Sequence, residues 1–287
     1  MIKIMKIKKS SNKLQRFGIQ EFLVLMGLIV FAIIIIYPLF WMIISSMKSY
    51  GEIYNDVWGF PSEWIFENYS EAWSRGVSNY FFNSVIVTIV TVITVLIVGS
   101  MAAFALSRFK SRFIDIALIV IIGGMMMNPE IAIIPLFDIL STLHIVDTRL
   151  ALILPYIAFR LPICVLLLRS YFLGIPDELS ESALMDGCTE FGIYMRIYLP
   201  MSVPIMITTV VITAFYAWNE FLFATIFIDS ESLKTIPSGL MNFRDALQTD
   251  WGILLAGMVI ASLPMIILLI VLQKYLVRGL SEGSVKG

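Results

Sequence analysis

Charge is what this sequence has least of. Aspartate, glutamate, lysine and arginine make up 14% of its 287 residues, against about a quarter in an ordinary globular chain. Histidine occurs once, as His144, and cysteine twice, as Cys164 and Cys188. A lone imidazole with no second histidine or cysteine beside it argues against a metal site and reads as a solvated loop residue. Two cysteines, one in an apolar run and one in a polar connection, make no disulfide framework and read as inert thiols. The Gly-Lys-Ser/Thr loop that cradles nucleotide phosphates is missing as well, so any energy from ATP has to be released on another polypeptide.

Hydrocarbon is abundant instead, with 59% hydrophobic residues and a mean hydropathy of +0.90. The apolar residues fall into six blocks, at 22–46, 85–106, 116–137, 150–168, 203–228 and 252–273. Each approaches or exceeds the roughly 20 helical residues that cross a bilayer core. A lipid-spanning strand would need only about ten alternating residues, and these runs do not alternate. The expected fold is all-α, a polytopic transmembrane protein of six spans.

Lys3, Lys6, Lys8, Lys9, Lys13 and Arg16 precede the first block. A basic start resembles a secretory signal, but the apolar stretch behind it is too long for a cleaved one. It is expected to remain as a span with a cytosolic amino end. Six crossings then place fourteen basic residues on the cytosolic side and five outside (Lys48, Arg75, Arg149, Lys234, Arg244), with Arg160 inside a span. That asymmetry fits the positive-inside rule and places both termini in the cytosol. The net charge of −1 averages a basic inner face with acidic outer loops, and it does not suggest nucleic acid. The expected organisation is a basic amino terminus (1–21), a six-helix membrane domain (22–273) and a cytosolic tail (274–287).

Two connections are long. The outer stretch 47–84 carries Tyr50, Tyr54, Trp58, Phe60, Trp64, Phe66, Tyr69 and Trp73 among acidic residues. It reads either as an interfacial aromatic belt or as a docking surface for an extracytoplasmic partner. The cytosolic stretch 169–202 has helical punctuation. Pro176 and Asp177 open a helix that Asp177 can cap, Glu178 and Glu181 suit its positive end, and Leu179 and Ala183 share a face. Gly187 can end that helix in a left-handed turn, and Thr189 can cap a second one running through Phe191, Met195 and Tyr198 to a stop at Leu199-Pro200. An acidic helix is repelled by an anionic leaflet, so a protein partner suits this hairpin better than lipid.

Glu181-Ser182-Ala183, Asp186-Gly187, Phe191 and, with nine residues between it and the glycine, Ile197-Tyr198-Leu199-Pro200 resemble the signature loop of ABC importer permeases. Ser182 stands where that family usually has alanine. Trp218-Asn219-Glu220-Phe221, Asp250-Trp251-Gly252 and the tail from Arg278 to Gly287 narrow the resemblance to the MalG-like subunit of maltose-type carbohydrate importers. The resemblance implies a MetI-like fold in a bacterial inner membrane. It also implies a second homologous permease, two ABC ATPase subunits that hold ATP and Mg, an extracytoplasmic solute-binding protein and a carbohydrate substrate. This chain would carry no cofactor of its own. The hairpin would couple to the ATPase, with Glu181 making charged contacts, Ala183 allowing close approach and Gly187 setting the angle. Gly279, Glu282, Gly283 and Lys286 of the tail would reach the ATPase interface, and the outer segment 229–250, with Pro237-Ser238-Gly239, would meet the binding protein.

Inside the spans lie Asn128, Glu130, Arg160, Asn219 and Glu220. Charges at that depth cost about 2.5–3.5 kcal/mol on insertion scales and face protein or a water-filled path. They read as a translocation path or gate, or as packing pairs such as Arg160 with Glu220 or Glu130. Pro129, Pro135, Pro155, Pro162 and Pro264 are candidate kinks or hinges. An ion-coupled secondary transporter, an ABC permease for a non-sugar solute and an intramembrane hydrolase using Glu130, Glu220 or His144 are the competing readings. The third has no nucleophile–base spacing behind it.

Overall fold

A computed structural model describes residues 19–243 and 249–284, with side chains described for 20–243 and 249–275. Lys3 to Arg16, Arg244 and Lys286 lie outside the described residues. The described chain is helical, with no strand among those residues.

Four helices are long and apolar enough to cross a membrane by themselves: Gln20–Ser45, Glu67–Arg108, Leu150–Phe172 and Trp251–Tyr275. They belong to α1 (Ile19–Ser45), α4 (Ser78–Arg108), α7 (Leu150–Phe172) and α14 (Trp251–Ser284). The fourth and sixth blocks form unbroken helices through Pro155, Pro162 and Pro264, so these prolines do not interrupt them. The second block is the core of a longer helix. Before α4 come the short α2 (Tyr50–Asn55) and then α3 (Glu67–Ala72), which runs on through a π turn at Trp73–Val77.

The other two blocks are broken. The third consists of α5 (Arg112–Met125) and α6 (Ile133–Thr142), separated by turns around Asn128-Pro129-Glu130. Pro129 has no N–H to offer and biases Asn128 away from the helical region, so the interruption falls where those constraints act. The fifth divides into α11 (Val203–Asn219) and α12 (Leu222–Phe227), parted at Glu220-Phe221.

The core is built on α4, α7 and α11, with α14 against α11. At the crossing of α4 and α7, a Cβ on Gly99 would stand 2.5 Å from the Cys164 sulfur, so any larger residue there would force Cys164 to shift. One apolar cluster joins Val95, Ala103, Phe104, Val165, Leu168 and Phe172 near one end. A second joins Val87, Leu152, Tyr156, Phe223 and Phe227 near the other. Trp218 ties α11 to α14 by donating to the Ala261 carbonyl at 3.0 Å. By contrast α1 packs chiefly against α14, and its apolar window has none of its residues buried.

The aromatic stretch folds against the ends of α1 and α14. Lys48, 1% exposed, donates to the carbonyls of Asp56 at 2.6 Å and Val57 at 3.4 Å. Trp251, from the Asp250-Trp251-Gly252 segment, donates to the Tyr54 hydroxyl at 2.7 Å. Trp58, Phe60 and Phe66 remain exposed.

The segment after α12 packs inward. Its short helix α13 (Ile236–Gly239) is largely buried, Ile236 N–H donates to Ser84 Oγ at 2.9 Å, and the Tyr80 hydroxyl bonds Glu231. The outer segment 229–250 is therefore seated on α4 where the structure describes it.

Candidate functional site

The helical hairpin comprises α8 (Asp177–Met185), α9 (Glu190–Ile193), a π turn at Tyr194–Tyr198 and α10 (Leu199–Met201). Gly187 has φ +80°, and its N–H closes onto the Leu184 carbonyl at 3.0 Å. The turn thus needs the left-handed backbone that glycine supplies without strain. Thr189 caps α9 through Gly192 N–H at 3.2 Å.

Three expectations change. Pro176 rather than Asp177 is the N-cap of α8, and no side chain caps it. Asp177 is the first helical residue, where its charge suits the helix dipole. The second helix does not stop at Leu199-Pro200, because Pro200 lies in the first turn of α10, a position that tolerates a missing N–H. The break comes at Ser202, where the chain bends by 77° into α11. Finally, the inward positions of α8 are Ser180 and Ala183, while Leu179 is exposed. The small Ala183 side chain lets the hairpin close on its own core.

Of the other singled-out residues, Ile197 and Leu199 also pack on that core, whereas Glu181, Ser182, Asp186, Gly187, Phe191 and Pro200 are exposed. Met185 is 87% exposed and Phe191 63%. The outer face thus presents apolar tips among carboxylates.

The sequence reading missed what holds this hairpin. Tyr194 and Tyr198 are buried against Phe104 of α4, and Tyr198 meets Phe172 of α7. The Tyr194 hydroxyl bonds Ser100 Oγ at 2.7 Å, and Ser180 Oγ meets the Tyr198 hydroxyl at 3.3 Å. Arg108, at the end of α4, reaches Asp177 at 3.7 Å and Glu190 at 3.6 Å. One cation therefore spans both arms of the hairpin. Tyrosines at 194 and 198 show the four-residue spacing of one helix face, the only sequence signal that pointed to them.

Arg160, Asn219 and Glu220 come together in a recess of about 520 Å³ lined also by Tyr216 and Phe215. They do so without an Arg160–Glu220 ion pair. The Arg160 guanidinium lies over the Tyr216 ring, 3.7 Å from its centroid, and its Nε has no partner. Glu220 instead accepts from the Tyr156 hydroxyl at 2.5 Å and from the N–H groups of Phe223 at 2.8 Å and Ala224 at 3.2 Å. The carboxylate thereby caps α12 and fastens the break in the fifth block to α7, so the gap is stabilised. Asn219 donates to its own helix at Phe215 O, 2.8 Å.

Asn128 and Glu130 are not among the recess-lining residues. They are exposed at the break between α5 and α6, with Asn128 Oδ1 accepting from Glu130 N–H at 2.9 Å. His144 is exposed with φ +55°. Among the described residues no group of three His, Cys, Asp or Glu is arranged to hold a metal. Helix α14 carries its backbone through Gly279, Glu282 and Gly283 to Ser284, but their contacts and Lys286 fall outside the described residues.

A hairpin fastened to one end of a set of membrane-length helices is matched by similarity elsewhere. Residues 95–282 match the family described as binding-protein-dependent transport system inner membrane component. The chain belongs to that family. It is 51% identical over 260 residues to the probable ABC transporter permease protein YurM of Bacillus subtilis (strain 168), covering 91% of this chain and 87% of the relative. It is 32% identical over 279 residues to the trehalose/maltose transport system permease protein MalG of Thermococcus litoralis, covering 94% and 98%. A solved bacterial ABC transporter involved in import of the acidic polysaccharide alginate shares the fold, with TM-score 0.79 at 23% identity over 91% of this chain and 98% of that one.

Membership makes the chain a multi-pass inner-membrane transport component and not an enzyme. The hairpin lies within the matched region, as do Arg160, Asn219 and Glu220.

Proposed function

We propose that this chain forms half of the transmembrane pathway of an ATP-driven carbohydrate importer and that its hairpin transmits ATPase motion to the helices. The observation carrying the reading is the hairpin's two-sided construction. Its inner side is fastened to α4 and α7 by Tyr194, Tyr198 and Arg108. Its outer side offers Met185 and Phe191 beside Glu181 and Asp186. An exposed apolar tip rimmed by charge suits a protein groove. A motor can move helices only through an element stiff enough to transmit the displacement. The two ABC ATPase subunits would hold ATP and Mg, and a second homologous permease would complete the pathway.

The carbohydrate reading follows from the trehalose/maltose relative and from the hydrogen-bonding side chains gathered at Arg160 and Asn219. An extracytoplasmic binding protein would deliver the sugar to the end of the molecule that carries α2 and α13. The hairpin end and both termini would be cytosolic, in keeping with fourteen basic residues there against five on the other side.

The test is ATPase stimulation of the reconstituted complex by its cognate binding protein across a panel of mono- and oligosaccharides. Stimulation by at least one sugar is expected. Uptake that persists without the ATPase subunits and follows a proton or sodium gradient would instead make the chain a secondary transporter. Stimulation by non-sugar solutes alone would overturn the carbohydrate assignment.

A further inference from the structure

Arg160 sits near the middle of α7, a helix of membrane-spanning length, and takes part in no ion pair among the described residues. Charges at such depth almost always pair or face water. The carboxylate nearest to hand is engaged elsewhere, because both oxygens of Glu220 are taken up by Tyr156 and the N-terminus of α12. What Arg160 has is Tyr216 as its neighbour, a buried Nε without a partner, and an open recess that its side chain helps to line. A guanidinium presents a planar fork of five N–H groups, more than one aromatic neighbour can occupy, and that fork receives an oxyanion by two parallel hydrogen bonds.

We infer that the recess binds an oxyanionic group of the transported solute, a carboxylate carried on a sugar, with Arg160 as the anion ligand and Phe215 beside it as an apolar wall for the ring. The inference rests on the reading that this chain lines a carbohydrate pathway, and it assigns a direct solute contact to this subunit. A carboxylate side chain from the second permease is the competing counter-ion. The volume, about 520 Å³, falls within the range of small-molecule sites, roughly 300–1,000 Å³. One inserted side chain would leave most of that space unfilled. Asn219, on the same wall and exposed, adds amide groups suited to sugar hydroxyls.

The experiment measures binding of glucuronate and of glucose to the complete permease–ATPase complex in lipid nanodiscs, with no binding protein present, by equilibrium dialysis. Saturable glucuronate binding is expected, with glucose far weaker. Arg160→Gln should weaken glucuronate by about ten- to a hundredfold, the range for a charged hydrogen-bond pair. Arg160→Lys, which keeps the charge and loses the fork, should fall between. Absent glucuronate binding, or binding that Arg160→Gln leaves unchanged, overturns the proposal. So does an Arg160→Gln complex that loses its second permease while the parent shows no glucuronate binding, which would assign the counter-ion to that subunit. ATPase stimulation by sugar-loaded binding protein is read on the same preparation. If it persists without glucuronate binding, only the recess assignment fails; if every sugar fails to stimulate, the carbohydrate reading fails with it.

Discussion

The Tyr194 hydroxyl and Ser100 Oγ meet at 2.7 Å inside the core, joining the second arm of the hairpin to the last third of α4. Ser100 also donates to Leu96 O at 2.6 Å, so its hydroxyl keeps a partner if the tyrosine oxygen is removed. Tyr194→Phe should therefore cost about 1 kcal/mol, a single net hydrogen bond. Tyr194→Ala, which empties a ring's volume beside Phe104, should cost about 3–5 kcal/mol. Thermal unfolding of the purified complex reads the difference. If the hairpin is the lever, the alanine variant also loses substrate-stimulated ATPase out of proportion to its loss of assembled complex.

Gly187 separates strain from steric conflict. Nothing lies within 4 Å of the position a Cβ would occupy, yet φ is +80°. Gly187→Ala should thus cost only the left-handed backbone, about 1–2 kcal/mol, and retain coupled uptake. Gly187→Pro cannot adopt that φ and removes the N–H bonded to Leu184. It should insert and assemble yet hydrolyse ATP without uptake. Coupled transport at the parental rate by the proline variant would remove the hairpin from the mechanism.

The hairpin was legible because its signals are local: Pro176, Gly187 and Thr189 each act on the backbone within a turn of themselves. Its attachment was not, since Arg108 meets Asp177 and Glu190 from a helix some seventy residues earlier in the chain, and no spacing rule links them. The same limit explains Glu220. From sequence it is a buried charge in need of a counter-charge, and Arg160 is a natural candidate. Only the fold shows that the fifth block breaks at Glu220 itself, so that its needs are met by two backbone amides and Tyr156. Hydropathy alone carries the third block through, because Met125, Met126 and Met127 are as apolar at a break as in a helix, but Asn128-Pro129-Glu130 marks the interruption in the sequence, and the structure breaks there.

That arrangement decides the outcome of a charge exchange. If Arg160 and Glu220 neutralised each other, the double variant Arg160→Glu/Glu220→Arg would recover what each single change loses. Here an arginine at 220 would face the positive end of α12, and no rescue is expected. Glu220→Gln keeps an acceptor for the amides and should be mild. Glu220→Ala leaves the Tyr156 hydroxyl and two N–H groups without their partner, at about 1–3 kcal/mol for each buried group. Complex yield and thermal midpoint across the four variants are the measurements, and full rescue by the exchange would overturn the geometry described.

At the other end of the molecule, Asp147 has φ +57° and receives the N–H groups of Asp229 at 3.0 Å and Ser230 at 2.9 Å, together with the Ser230 hydroxyl. It clamps the connection after α12 to the turn before α7. The Ser230 hydroxyl and N–H, with the Asp229 N–H, hold its carboxyl below the usual range for aspartate. A depressed carboxylate stabilises the fold above its unfolded pKa, about 3.9, and that contribution disappears as pH falls through the lower folded value. The clamp should therefore be intact at neutral and mildly acidic pH and open only below about pH 4. Asp147→Asn, which tolerates the left-handed backbone but keeps one acceptor oxygen, should loosen it at every pH. Amide hydrogen exchange at Ser230 reports this directly. Protection there that is the same in Asp147→Asn as in the parent at neutral pH would show that the carboxylate does not hold the turn.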